Sequence, residues 1–137
     1  MIAGGPRPVA PFSHAVETDG FVFVTGQMPD TPEAPGKLPN SIEEQTRAVM
    51  ENLRLVLTGL HLGFEDVLMA RIYLTRFRRD YTAMNEIYRA YFAQERLPAR
   101  TCVGVTDLAY GALIEIDFVC RRPAPKETAI LAPRTLL

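Results

Sequence analysis

Apolar positions along the chain switch between a period of two and a period near 3.6, and the switches mark the elements. Residues 21–25, Phe-Val-Phe-Val-Thr, are aromatic or β-branched throughout and predict a strand that is apolar on both faces. Such a strand needs cover on both sides, or a partner chain on one. Ahead of it, residues 12–16 predict a short edge strand, joined through the turn signal Thr18-Asp19-Gly20. Pro29, Pro32, Pro35 and Pro39 make the next stretch a loop. Ser41-Ile42-Glu43-Glu44 then reads as a capping box. Gln45, Val49, Leu53, Val56, Leu57 and Leu60 recur at helical spacing behind it, with Gly63 as the expected stop. Residues 67–74 alternate again. Asp80 is the expected cap of a second helix, with Tyr81, Met84, Ile87, Tyr88, Tyr91 and Phe92 along its apolar side. Two more strands close the pattern, at 97–105 and 113–120, with a turn at Ala109-Tyr110-Gly111 between them.

Alternation inside the last two strands sorts their side chains. Arg100, Cys102 and Gly104 share one side, and Thr101, Val103 and Val105 the other. The second set suits a core; the first carries a fixed charge that a core rejects, since burying an unpaired cation costs several kcal/mol. In the final strand Ile114, Ile116, Phe118 and Cys120 form the apolar set, opposite Glu115 and Asp117. Taken as neighbours, the two strands each direct a charge away from the apolar layer, and function is expected there. The order strand, strand, helix, strand, helix, strand, strand predicts an α+β two-layer domain, with two helices on one face of a mixed sheet. The other face, half apolar and half charged, predicts oligomerisation.

Composition narrows the picture. The chain has 137 residues, 47% hydrophobic and 23% charged, as expected of one soluble globular domain rather than a disordered chain. A net charge of -1 argues against a broad nucleic-acid or membrane-binding surface. No apolar run approaches the roughly 20 residues of a membrane helix, and the start lacks the apolar middle of a signal peptide. Two cysteines do not suggest a disulfide framework, so a cytoplasmic location is expected. Neither a zinc-type Cys/His spacing nor a glycine-rich phosphate loop is present. Residues 1–122 read as one domain and 123–137 as a Pro-rich tail.

With these residues in view the chain resembles the RidA family, the YjgF-type reactive intermediate deaminases. The matching pieces are Ala10-Pro11-Phe12-Ser13-His14-Ala15, Phe23-Val24-Thr25-Gly26-Gln27-Met28-Pro29, Ile42-Glu43-Glu44-Gln45-Thr46, Asn85-Glu86-Ile87-Tyr88, Pro98-Ala99-Arg100-Thr101-Cys102-Val103 and Gly111-Ala112-Leu113-Ile114-Glu115-Ile116. The resemblance implies a chorismate-mutase-like fold and a barrel-like homotrimer with sites in the clefts between subunits. It implies hydrolysis of enamine/imine intermediates such as 2-aminoacrylate to 2-keto acids and ammonia, a 2-iminobutanoate/2-iminopropanoate deaminase-like activity, with no metal or organic cofactor. It assigns Arg100 to the substrate carboxylate and Glu115 to water, with Cys102, Gly26, Gln27 and Asn85 around the pocket. Phe12 stands where many deaminase-active members carry a tyrosine, so a hydroxyl is missing there.

Plainer readings stand beside these. Arg100 has Glu115 and Asp117 as candidate ion-pair partners. Cys102 as a nucleophile needs a base, and only His14 and His61 exist. His61 reads as a surface or capping residue. The tyrosine stripe at 81, 88 and 91 reads as core, and Arg76, Arg78 and Arg79 as a solvated loop. The rival functions are a non-catalytic sensor of 2-keto acids, motivated by Phe12, and a holdase-type interaction protein using the exposed apolar face. A ribonuclease activity has been attached to the family, but this net-acidic sequence supplies no nuclease site.

Overall fold

A computed structural model describes residue 2 and residues 11–124. The expected Pro-rich tail lies outside the described residues from 125 onward, as does most of the start. Five strands and two helices form two layers: β1 (Ala15–Thr18), β2 (Phe21–Gln27), α1 (Ile42–Gly59), β3 (Val67–Leu74), α2 (Phe77–Arg89), β4 (Ala99–Gly104) and β5 (Ile114–Arg121). The sheet order is β1-β2-β5-β3-β4. It is mixed: β3 and β4 are parallel, joined across α2, and the other pairs are antiparallel.

The hairpin β1-β2 forms because Asp19 and Gly20 both take positive φ, at 52° and 80°, the twist a two-residue turn requires. α1 starts where its capping sequence predicts, with Ser41 Oγ accepting from the Glu44 amide at 3.1 Å. It ends four residues before Gly63. His61 takes φ 59°, and the amides of His61 and Leu62 donate to the carbonyls of Thr58 and Leu57, a Schellman closure made without glycine. α2 also starts earlier than its polar residues suggest. Arg76 holds the cap position without a side-chain bond, because Phe77 joins the helix by stacking on Tyr81 at 4.8 Å. Asp80 is therefore inside the first turn, buried, and receives Nε and Nη2 of Arg79 at 2.8 and 3.0 Å. Arg78 and Arg79 belong to that turn rather than to a loop.

The core lies between the helices and one face of the sheet. Val49, Met50, Leu53, Val56 and Leu57 of α1 and Met84 of α2 are fully or almost fully buried there against Val22, Ile72, Leu74, Ile114, Ile116 and Phe118. Two buried polar residues of α1 anchor the connections. Asn52 Nδ2 donates to the Met28 and Asp30 carbonyls, and Gln45 bridges the Pro39 carbonyl and the Leu113 amide. The opposite face is uncovered, and Val16, Phe21, Phe23, Leu68 and Val103 are exposed.

The last two strands correct the expected arrangement in two ways. β4 and β5 are not neighbours, since β3 lies between them. Arg100 and Cys102 pair with Ala70 and Ile72, which are buried, so they lie on the helix side, while Thr101 and Val103 are exposed on the open face. Alternation groups side chains but does not say which group meets the helices. At β4 the helix side offers the polar and aromatic partners of α2, and these accept the guanidinium that an aliphatic layer would reject.

Candidate active site

Arg100 is half-buried on the edge strand β4. Its Nη1 donates to Asn85 Oδ1 at 2.7 Å and its Nη2 to the Tyr81 hydroxyl at 3.1 Å. The guanidinium lies over two rings, with Cζ 5.2 Å from the Tyr88 centroid and 5.7 Å from that of Tyr81. All these partners are neutral. None of the ion pairs among the described residues involves Arg100, and Asp117 is taken by Arg71 Nε at 2.8 Å. A guanidinium has five N–H donors. Two are used, and the others remain for a carboxylate, which the planar fork matches with parallel bonds. Tyr81, Asn85 and Tyr88 recur at spacings of four and three, so α2 presents them from one face. The tyrosines at 81 and 88 are thus more than core filling, and their spacing with Asn85 was the available signal.

Cys102 follows Arg100 on the same side of the strand and is half-buried. Burial pushes its thiol up, and the nearby Arg100 charge only partly opposes this. Its environment is not that of an activated nucleophile.

Glu115 lies on the other face of the sheet, as the cross-strand partner of Tyr73. Burial, and secondarily the charge of Asp117, raises its carboxyl above the usual range, so it holds a proton more readily than an ordinary glutamate. Gly26 lies against it. The register of β2 on β5 shifts between Val24 and Gln27, and a β-carbon at Gly26 would collide with the Glu115 carboxylate. Gln27, one residue on, turns to the helix side with its partner Ile116; it is buried and donates to the Thr25 carbonyl at 3.0 Å. Phe12 is exposed in the segment before β1. His14 is buried, with Nδ1 accepting from the Ile2 amide at 3.0 Å. The candidate residues thus fall in two groups on opposite faces of the sheet: Arg100, Asn85 and Cys102 on the helix side, and Glu115 with Gly26 on the open side.

Two helices on one face of a mixed five-stranded sheet define the fold class, and comparison with known proteins agrees with it. Residues 3–121 match the sequence model of the family described as Endoribonuclease L-PSP, and the chain belongs to that family. A RutC family protein of Pyrococcus horikoshii is 35% identical over 114 residues, covering 83% of this chain and 89% of that relative. A Yersinia pestis structure, described as a protein of unknown function of the conserved Rid family, is 33% identical with a TM-score of 0.80, covering 86% of this chain and 93% of its own. The structure of Escherichia coli TdcF with bound serine is 27% identical with a TM-score of 0.79, covering 88% and 94%. The expected resemblance to the RidA, YjgF-type family and the expected two-layer fold both hold. Among the described residues no helix is long and apolar enough to cross a membrane.

Proposed function

We propose that the chain hydrolyses small 2-imino acids, the tautomers of 2-aminoacrylate-type enamines, to 2-keto acids and ammonia. The observation that carries this is a half-buried guanidinium held by Asn85 and Tyr81, with no carboxylate paired to it among the described residues. Arg100 takes the substrate carboxylate and fixes C2. Glu115 takes a proton from a water as its oxygen bonds to C2 of the protonated imine, whose C=N electron pair moves to nitrogen and leaves a neutral amine. Glu115 then returns a proton to that nitrogen. The C–N bond breaks, ammonia leaves, and the remaining hydroxyl loses its proton to give the ketone. A carboxyl raised by burial gives up its proton less readily than an ordinary glutamate, which suits it to passing one between water and substrate. TdcF, a relative solved with a bound amino acid, supports an acid-binding role for this fold.

Because the half-sites face opposite ways, the complete site joins Arg100 of one copy to Glu115 of another. The uncovered apolar face supports assembly of copies, as a homotrimer with clefts between subunits. Phe12, which has no hydroxyl, favours a second reading in which the cleft senses 2-keto acids without turnover.

The test generates 2-aminoacrylate with a dehydratase and traps the residual imine with semicarbazide. Faster pyruvate release with the protein present, lost in Arg100→Ala, is the expected result. Release no faster than without the protein, for this and other 2-imino acids, rejects the deaminase reading. Saturable pyruvate binding without turnover would then favour the sensor.

A further inference from the structure

A cavity of about 260 Å³ opens beside Arg100, and its lining holds a second cation, Arg89, with Asn85, Tyr88, Gln94 and Leu97. Asn85 and Arg89 are four residues apart on α2, so they share a helix face one turn apart. Asn85 is bonded to Arg100, so the two guanidiniums reach the same space from roots separated by little more than that turn. Arg89 is only loosely held. Glu86 approaches it at 3.8 Å, beyond hydrogen-bond length, and both side chains are more than half exposed. The Gln94 amide nitrogen is taken up by the backbone carbonyls of Arg89 and Phe92. The cavity also borders an unpartnered polar group. The Tyr88 hydroxyl is buried with no hydrogen-bond partner among the described residues, and burial holds its pKa up to about 12, so it stays a donor. Among the described residues no carboxylate lines this space.

We infer that this cavity selects substrates carrying a second acidic group: the 2-imino derivatives of four- or five-carbon dicarboxylic acids, with the C1 carboxylate on Arg100 and the distal carboxylate on Arg89. This rests on the reading of Arg100 as a carboxylate clamp. Two cations around one small apolar-walled space repel each other and are best compensated by a dianion. A monocarboxylate neutralises only one. Leu97 and the Tyr88 ring supply the apolar wall for the methylene groups between the two acids. A merely structural role for Arg89, as a cation in the last turn of α2, predicts no ligand selectivity.

The experiment is isothermal titration of the full chain with two product-like keto acids, 2-oxobutanoate and 2-oxoglutarate. The diacid is expected to bind about tenfold more tightly, a charge-assisted bond's worth at a partly exposed site. Arg89→Gln should bring the ratio to about one, Arg89→Lys should keep part of it, and added salt should shrink it. Equal affinity in the unmodified chain, or a preference that survives Arg89→Gln, overturns the inference; the clamp reading then still stands if Arg100→Ala abolishes both titrations. Binding of neither acid overturns both.

Discussion

The carboxylate of Glu115 is half-buried against the sheet and near the charge of Asp117, and each circumstance disfavours its ionised form. Its value in the fold is raised above that of the unfolded chain. It therefore contributes stability that is fully present below the unfolded value and is lost as pH rises through the folded one. Glu115→Gln carries no charge at any pH. The variant should match the parent in stability at acidic pH and exceed it increasingly toward neutrality, in urea unfolding between about pH 4 and pH 8. The same variant should lose about a hundredfold or more in turnover, the usual worth of a positioned acid–base group. A stability gap that does not widen with pH contradicts the environment described. At this scale the sequence was informative about residue type and silent about side. Alternation isolated Arg100 and Glu115, but not that they face opposite ways, because a pleat has no label for the layer that will cover it. Tyr81 and Tyr88 read as core for a related reason: the same helical spacing serves packing and a guanidinium cage alike.

Among the elements, β2 does the most for the site. The register shift between Val24 and Gln27 brings backbone against the Glu115 carboxylate at Gly26. Gly26 has no positive φ to explain it, so what matters is the absence of a β-carbon. The group it would strike is the far end of a flexible side chain, so Gly26→Ala should fold with stability within about 1 kcal/mol of the parent. It should nonetheless lose at least about tenfold in kcat/KM as the carboxylate is displaced. Retained activity would mean that the position of Glu115 is not critical. The strand was legible from its aromatic and β-branched run, whereas the shift was not, because register is set by the partner strand. The helix ends show the same limit. Ser41 and Glu44 marked the start of α1 correctly, but Gly63 misplaced its end, because His61 adopts the left-handed conformation that glycine usually supplies.

At the scale of the molecule, two helices cover one face of a five-stranded sheet and leave Phe21, Phe23 and Val16 on the other exposed. Counting helices against strands was enough to foresee that open face. How copies meet on it was not legible, because that depends on surface shape, which no periodicity encodes. If copies do meet there, an active site borrows Arg100 from one subunit and Glu115 from the next. Co-expression of Arg100→Ala and Glu115→Gln chains under separable tags measures this directly. Each variant alone should be inactive. In the proposed trimer, each hybrid should recover about a third of the parent activity, because one of its three clefts draws both intact residues. Hybrids that assemble and remain as inactive as either variant alone would contradict a site shared between subunits.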